Sequence, residues 1–250
     1  FFLQEEDADA DGDPQTSEGL FVAGVPSSTL AVAVGDAVRV TGLVQEFFGR
    51  TELFSVTDIS VVTAGNALPS AAVISDLNPA VLERMEGMAI SIDMPLTVIS
   101  LFNLDRFGEM SLFDGARPSQ LTETTPQDID PSVVAARNAD LANNSILLDD
   151  GDNGLWPDPI VFPDGELDST DVLRLGDTVS SVAGILDFGF GRFRIRQTEV
   201  APVFTSANQR PVAPPAVAPA DVAHTTVAEV AQGLCTSALL SPWASKFTTK

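Results

Sequence analysis

The stretch Val34-Gly-Asp-Ala-Val-Arg-Val-Thr-Gly-Leu-Val-Gln-Glu-Phe-Phe-Gly-Arg-Thr-Glu-Leu-Phe-Ser-Val56 occurs twice in this chain. Its second copy reads Leu175-Gly-Asp-Thr-Val-Ser-Ser-Val-Ala-Gly-Ile-Leu-Asp-Phe-Gly-Phe-Gly-Arg-Phe-Arg-Ile-Arg-Gln-Thr198. Gly35-Asp36 answers Gly176-Asp177, Gly42 answers Gly184, and Gly49-Arg50 answers Gly191-Arg192. The second copy has one extra residue between the first two landmarks, the mark of a β-bulge. Each copy reads as a Gly-Asp turn followed by β-branched residues rising into a strand. Gly42 and Gly184 fall inside the strand pattern, where glycine marks a bulge or a sharp coil. Phe47-Phe48-Gly49-Arg50 and Phe188-Gly189-Phe190-Gly191 read as hairpin tips. A two-stranded ribbon alone is marginal in water, so each copy must belong to a larger β unit.

The order extends upstream. Residues 1–4 lead into an acidic loop at 5–13, and residues 146–148 lead into another at 149–153. A repeat of this kind governs the reading of the whole chain. Strand, acidic loop, strand, Gly-Asp turn and long coiled hairpin is the order of a five-stranded Greek-key barrel of the OB type. The expected fold is mainly β, with two tandem OB-like barrels, short helices and a Pro/Ala-rich tail. Residues 1–66 form the first barrel, incomplete at its N-terminus. Residues 67–205 form the second, with helical insertions, and residues 206–250 form a linker and a poorly packed tail.

Local signals fill in the rest. Asn78 as N-cap, Pro79 in the first turn and Gly87 at the end predict a short helix over 77–87. Residues 88–102 read as one long strand. Asp130-Pro131 opens a predicted helix through 143. Residues 155–171 hold three prolines and read as irregular.

The 250 residues are 44% hydrophobic, enough for real cores. The formal charge is -22, which repels nucleic acid and anionic membranes at long range. An anionic partner must therefore be met by a local basic patch or a bound metal. Of the 13 basic residues only Lys246 and Lys250 are lysine; the rest are arginine. One cysteine, Cys235, excludes an intrachain disulfide, and one histidine, His224, excludes most His-based catalysis. No stretch is long and apolar enough to span a membrane. The chain opens mid-strand at Phe1-Phe2 and reads as a fragment or processed product.

Two constellations carry chemistry. Asp7, Asp9, Asp11, Gly12 and Glu18 fit the calcium-loop spacing D-x-D-x-D-G-x5-E, with Asp13 beside them. Alternate carboxylates bring hard oxygens onto one ion, and Glu18 closes the shell. Strands rather than helices flank the loop, so a solvated acidic hairpin loop is the competing reading. Asp149, Asp150 and Asp152 form a second, weaker acidic candidate. The other constellation is cationic. Arg192, Arg194 and Arg196 alternate along one strand and share a face. Arg50 is the equivalent of this row in the first copy, and Phe48 and Phe190 flank the tips as candidate base-stacking residues. The competing reading has the row paired with acidic residues on neighbouring strands. Of Phe47, Phe48, Phe188 and Phe190, at least two are expected in the core.

Residues 1–5, 9–21, Gly35-Asp36 with 44–53, 82–88, 147–151 and 175–193 together resemble the region before the catalytic domain in large secreted bacterial nucleases of the ExeM/NucH type. That resemblance covers most of residues 1–210. It implies an OB-like module ahead of a nuclease domain of the endonuclease/exonuclease/phosphatase fold, which cuts extracellular DNA or RNA with a divalent metal, magnesium or calcium. After Pro211 the family's Ser-Phe-Asn motif is absent, so no catalytic residue carries over. The expected function is a non-catalytic nucleic-acid-handling or spacer module, secreted, with DNA or RNA and a downstream nuclease domain as partners. The alternative is a calcium-stabilised structural surface module without nucleic-acid contact.

Overall fold

The chain is mostly strand, laid out in two sheets, with a few short helices. The computed structural model describes residues 1–25, 31–119, 121, 130–167, 172–198 and 200–207. Of the linker and tail expected over 206–250, residues 208–250, with His224 and Cys235, lie outside the described residues. β1 (Phe2–Gln4), β2 (Gly19–Val22), β3 (Ala37–Phe47) and β4 (Arg50–Thr63) form a four-stranded sheet in the order β1-β2-β4-β3. The nine-stranded sheet takes β5 (Ala72–Ile74), β6 (Ala89–Ile92), β7 (Leu96–Ser100), β8 (Glu109–Asp114) and β9 (Ser145–Asp149). It is completed by β10 (Thr178–Ser180), β11 (Val182–Gly189), β12 (Arg192–Gln197) and β13 (Val203–Thr205).

The helices at 79 and 131 start where the sequence places their caps, but the first is shorter than the helix expected over 77–87 and ends at Leu82. α1 (Pro79–Leu82) runs into a 3-10 turn at Glu83–Met85, and Asn78 Oδ1 accepts the Ala80 N–H at 3.0 Å. α2 (Leu104–Phe107) ends at Gly108, where φ is +67°. α3 (Pro131–Asn143) is capped by Asp130, whose Oδ1 accepts the Ser132 N–H at 2.8 Å.

The long strand expected over 88–102 is broken into β6 and β7 at Asp93-Met94-Pro95, because Pro95 has no N–H for the ladder. β10 and β11 are likewise one strand bent at Ser181, the extra residue of the second copy, with φ +56°. The two broken strands run antiparallel through both breaks. Val179 faces Leu96 on one side and Val182 faces Ile92 on the other. β7 pairs with β8, β8 with β9, and β12 with both β9 and β11. The sheet thus curls until its two bent strands meet, giving a barrel-like body. Ile90, Ile92, Leu96, Val98, Leu112, Ile146, Leu148, Leu186 and Ile195 fill its core.

Topology carries the repeat further than the hairpins, in a different frame from the one the sequence offers. β2 pairs in parallel with β4 as β9 pairs with β12. β1 pairs antiparallel with β2 as β8 pairs with β9. The order β1-β2-β4-β3 therefore repeats β8-β9-β12-β11. β1 corresponds to β8, and the two acidic loops occupy non-equivalent places: one joins β1 to β2, the other follows β9. In the first unit the returning strand of the hairpin runs on without interruption to Thr63 as β4, bending at Ser55 (φ +50°).

The two sheets meet along a polar seam. Ala89 N donates to Gln4 Oε1 at 2.7 Å and Ser17 Oγ to the Glu86 carbonyl at 2.6 Å. Glu86 is buried there with Oε1 unpartnered, and the Thr51 N–H points at its carboxyl. Burial, reinforced by Glu83, Glu46 and Asp187, pushes Glu86 up to about 8.

Gly184 touches the partner strand so closely that an added Cβ would sit 2.2 Å from the Arg196 carbonyl oxygen. Gly184→Ala should destabilise the fold by about 1–3 kcal/mol in urea unfolding. Gly189→Ala, whose nearest neighbour is 3.8 Å away, should be neutral or stabilising. Glu86 binds its proton more tightly folded than unfolded, so stability falls as pH rises from the ordinary glutamate range to about 8. The stability gain of Glu86→Gln over the parent should grow across that window; a gain constant from pH 5 to pH 9 refutes the assignment.

Candidate nucleic-acid interface

β12 places Arg192, Arg194 and Arg196 on one face by strand alternation, while Phe193 and Ile195 point into the core. That face lies against acidic strands on both sides. Arg194 is 7% exposed and donates to Asp149 Oδ2 at 2.9 Å, Glu109 Oε2 at 3.1 Å and the Gly189 carbonyl at 3.1 Å. Arg196 Nε donates to Asp187 Oδ2 at 2.7 Å, and its Nη1 reaches Asn153 Oδ1 at 3.2 Å. Arg50 pairs with Glu52 at 2.9 Å and Asp187 at 3.6 Å, and its guanidinium lies 3.9 Å over the Phe21 ring. Three of the four arginines picked from sequence are therefore held by internal carboxylates. Arg192 differs: it donates to the Ser111 and Ser145 hydroxyls at 3.4 and 3.5 Å and makes no ion pair among the described residues.

The tips set the aromatics. Phe48-Gly49 and Phe190-Gly191 have φ of +52°, +86°, +54° and +75°, the two left-handed residues of a type I′ hairpin turn. A bulky residue at the first of these positions is strained, at a cost of about 1–3 kcal/mol. Packing does not repay it, since Phe48 is 85% and Phe190 97% exposed. Phe190 sits 5.6 Å from the Arg194 guanidinium, which holds the ring over the arginine face. Phe188 packs edge-on against Phe193 and adjoins the core. Phe47 is half-exposed, so one of the four tip aromatics joins the core rather than two.

A groove of about 140 Å³ lies at this end of the barrel, lined by Ser100, Phe102, Asn103, Glu109, Ser111 and Arg192 among others. That is close to the roughly 150 Å³ cavity that takes one benzene ring. Phe102 is 88% exposed, and Asn103 Nδ2 ties the wall together through Glu109 Oε1 at 2.6 Å. Sequence reading missed Phe102 because the apolar run through 102 absorbed it into a strand. Asn103 and Gly108 bounding the turn were the signals that set it at a loop.

The acidic loop is organised by hydrogen bonds. Asp7 turns away to Ser70, accepting its N–H at 2.9 Å and its hydroxyl at 2.6 Å, which lowers its pKa. Asp11 accepts from the Asp13 N–H at 2.7 Å, Asp13 from the Gln15 N–H at 2.9 Å, and Glu18 from the Asp11 N–H at 3.0 Å. Asp9 donates its backbone N–H to the Glu6 carbonyl. Among the described residues no three carboxylates, histidines or cysteines converge as a metal ligand set in the loop as folded. Asp149 is committed to arginine, and the side chains of Asp150 and Asp152 accept the N–H groups of Asp152 and Gly154.

Arg194→Met leaves buried Glu109 without its ion-pair partner and Asp149 with Arg196 alone, at 3.8 Å, and should cost about 3–5 kcal/mol in urea unfolding. Arg192→Met, at the groove, should stay within about 0.5 kcal/mol. Comparison of the chain with protein-family models, curated proteins and solved structures finds no match.

Proposed function

We propose that this chain is a non-catalytic nucleic-acid-handling module of a secreted bacterial nuclease, built on OB-type barrels. The observation that carries the reading is the grouping of Arg192 and Phe102 around a ring-sized groove, with Phe190 over the same arginine face. The strand order β7-β8-β9-β12-β11 with its parallel β9–β12 pair supports the OB reading. OB barrels hold oligonucleotides on their second and third strands and on the loops 1-2 and 4-5. Counted that way, β8 and β9 are the second and third strands, Phe102 lies in the first of those loops and Phe190 in the other. A base stacks on an exposed ring, worth about 1–3 kcal/mol, while Arg192 meets the phosphate. Hydrolysis and its divalent metal, magnesium or calcium, belong on this reading to a downstream nuclease domain.

The second reading is a calcium-stabilised structural surface module without nucleic-acid contact. A net charge of -22 favours it, as does the internal pairing of Arg50, Arg194 and Arg196. Fluorescence anisotropy with a labelled single-stranded oligothymidine at low salt, with calcium and with chelator, separates the two. The module should bind with a shallow salt slope of about -0.7 per contacted phosphate. Arg192→Glu and Phe190→Ala should each weaken binding about ten-fold without unfolding the chain. No binding in either condition, with a melting temperature that rises in calcium, refutes the nucleic-acid reading and leaves the spacer.

A further inference from the structure

We propose that Arg106 and Trp156 form a second nucleotide position beside the ring-sized groove, where a base stacks on the indole and the guanidinium meets a phosphate. The inference rests on the nucleic-acid reading above and extends it by one subsite.

The two residues come from distant parts of the chain and are tied at the backbone. Arg106 belongs to α2, whose N-cap Asn103 lines the groove. It follows Asn103 by three residues, about 4.5 Å along a helix. The Trp156 N–H donates to the Arg106 carbonyl at 2.9 Å. Both supports are set in advance. The Phe107 N–H donates to the Asn103 carbonyl at 2.9 Å, and on the approach to Trp156 the Gly154 N–H donates to Asp152 Oδ1 at 2.8 Å. Segments already held in one conformation lose less entropy when they bind.

Trp156 is where the backbone is strained. Its φ is +62°, an outlier for so bulky a residue, and its ring is 61% exposed, so burial does not repay the strain. An exposed indole is a stacking surface for a base. Phe102, in the segment that leads into α2, presents another.

Arg106 supplies the charge. Its guanidinium carbon stands 5.0 Å from the centroid of Phe107 and 5.7 Å from that of Trp156. The side chain is exposed and makes no ion pair among the described residues. Arg50, Arg194 and Arg196 are held by carboxylates, which neutralise them; Arg106 is held by rings, which position a cation and leave its N–H groups for an anion. A neutral sugar would use the indole and leave the cation idle. A strand that alternates flat rings with phosphates uses both.

The chain has two tryptophans, Trp156 and Trp243, so Trp243→Phe leaves the indole of this position as its sole reporter. Oligothymidine titrated into that full-length chain at low salt should quench the emission saturably, in step with the anisotropy of a labelled strand. Trp156→Gly, which suits a backbone at positive φ, should keep the melting temperature and weaken binding about ten-fold. Trp156→Phe should retain most of the affinity. Arg106→Gln should make the salt slope shallower by about 0.7. Binding that leaves the Trp156 emission unchanged, or that is indifferent to Trp156→Gly or to Arg106→Gln, overturns this position and leaves the groove reading standing. Absence of binding overturns both. Quenching by maltohexaose and not by oligothymidine overturns the nucleotide position and makes the indole a sugar platform.

Discussion

Asp187 is the constraint on which the rest of the molecule rests. Its carboxylate is 1% exposed, on the second hairpin, at the seam where the first sheet arrives. A buried carboxylate without a cation would carry a desolvation cost of several kcal/mol. Two arginines offset that cost: Arg196 from the adjacent strand at 2.7 Å and Arg50 from the first hairpin at 3.6 Å. One buried charge thereby couples the two copies of the repeat. The coupling continues outward, through Arg50 to Glu52 and through Arg196 to Asp149, Arg194 and Glu109. Along this line acid and base alternate, so each desolvated group has an opposite neighbour.

This use of arginine shapes the candidate site. A chain with 35 acidic and 13 basic residues has few cations to place, and its seam takes three of them. What remains at this end of the barrel is Arg192, hydrogen-bonded to two serine hydroxyls beside Glu109, with a groove large enough for one ring. Any anion held there is held locally, against the repulsion of the whole chain. The two strained phenylalanines at the hairpin tips belong to the same picture. Their backbone conformation suits a type I′ turn, and their rings stay in water.

The two copies also show how one strand pattern ends in two environments. Leu186 and Val44 occupy matched places, yet one is fully buried and the other largely exposed. The difference lies in which strands lie alongside. Glu86 reports the same seam from the other direction, a carboxyl that holds its proton more tightly because burial disfavours its charge and Glu83, Glu46 and Asp187 add to that.

Local chemistry decided much of this in advance. The duplicated Gly-Asp, Gly and Gly-Arg landmarks determined two hairpins, and the extra residue of the second copy became the bend at Ser181. Asn78 and Asp130 determined where helices begin, because an N-cap acts on backbone groups two residues away. Alternation determined that Arg192, Arg194 and Arg196 share a face, since the period of a strand is fixed by its pleat. Which of them remains available was decided by tertiary structure. Asp149 and Glu109 stand 45 and 85 residues from Arg194 in the chain and meet it only because β9 and β12 pair in parallel with β8 alongside. Phe102 became part of a groove for the same reason. The acidic loop kept its carboxylates at the right spacing, but folding turned them onto its own backbone and onto Ser70. Spacing is a property of the chain; convergence on a point is a property of the fold.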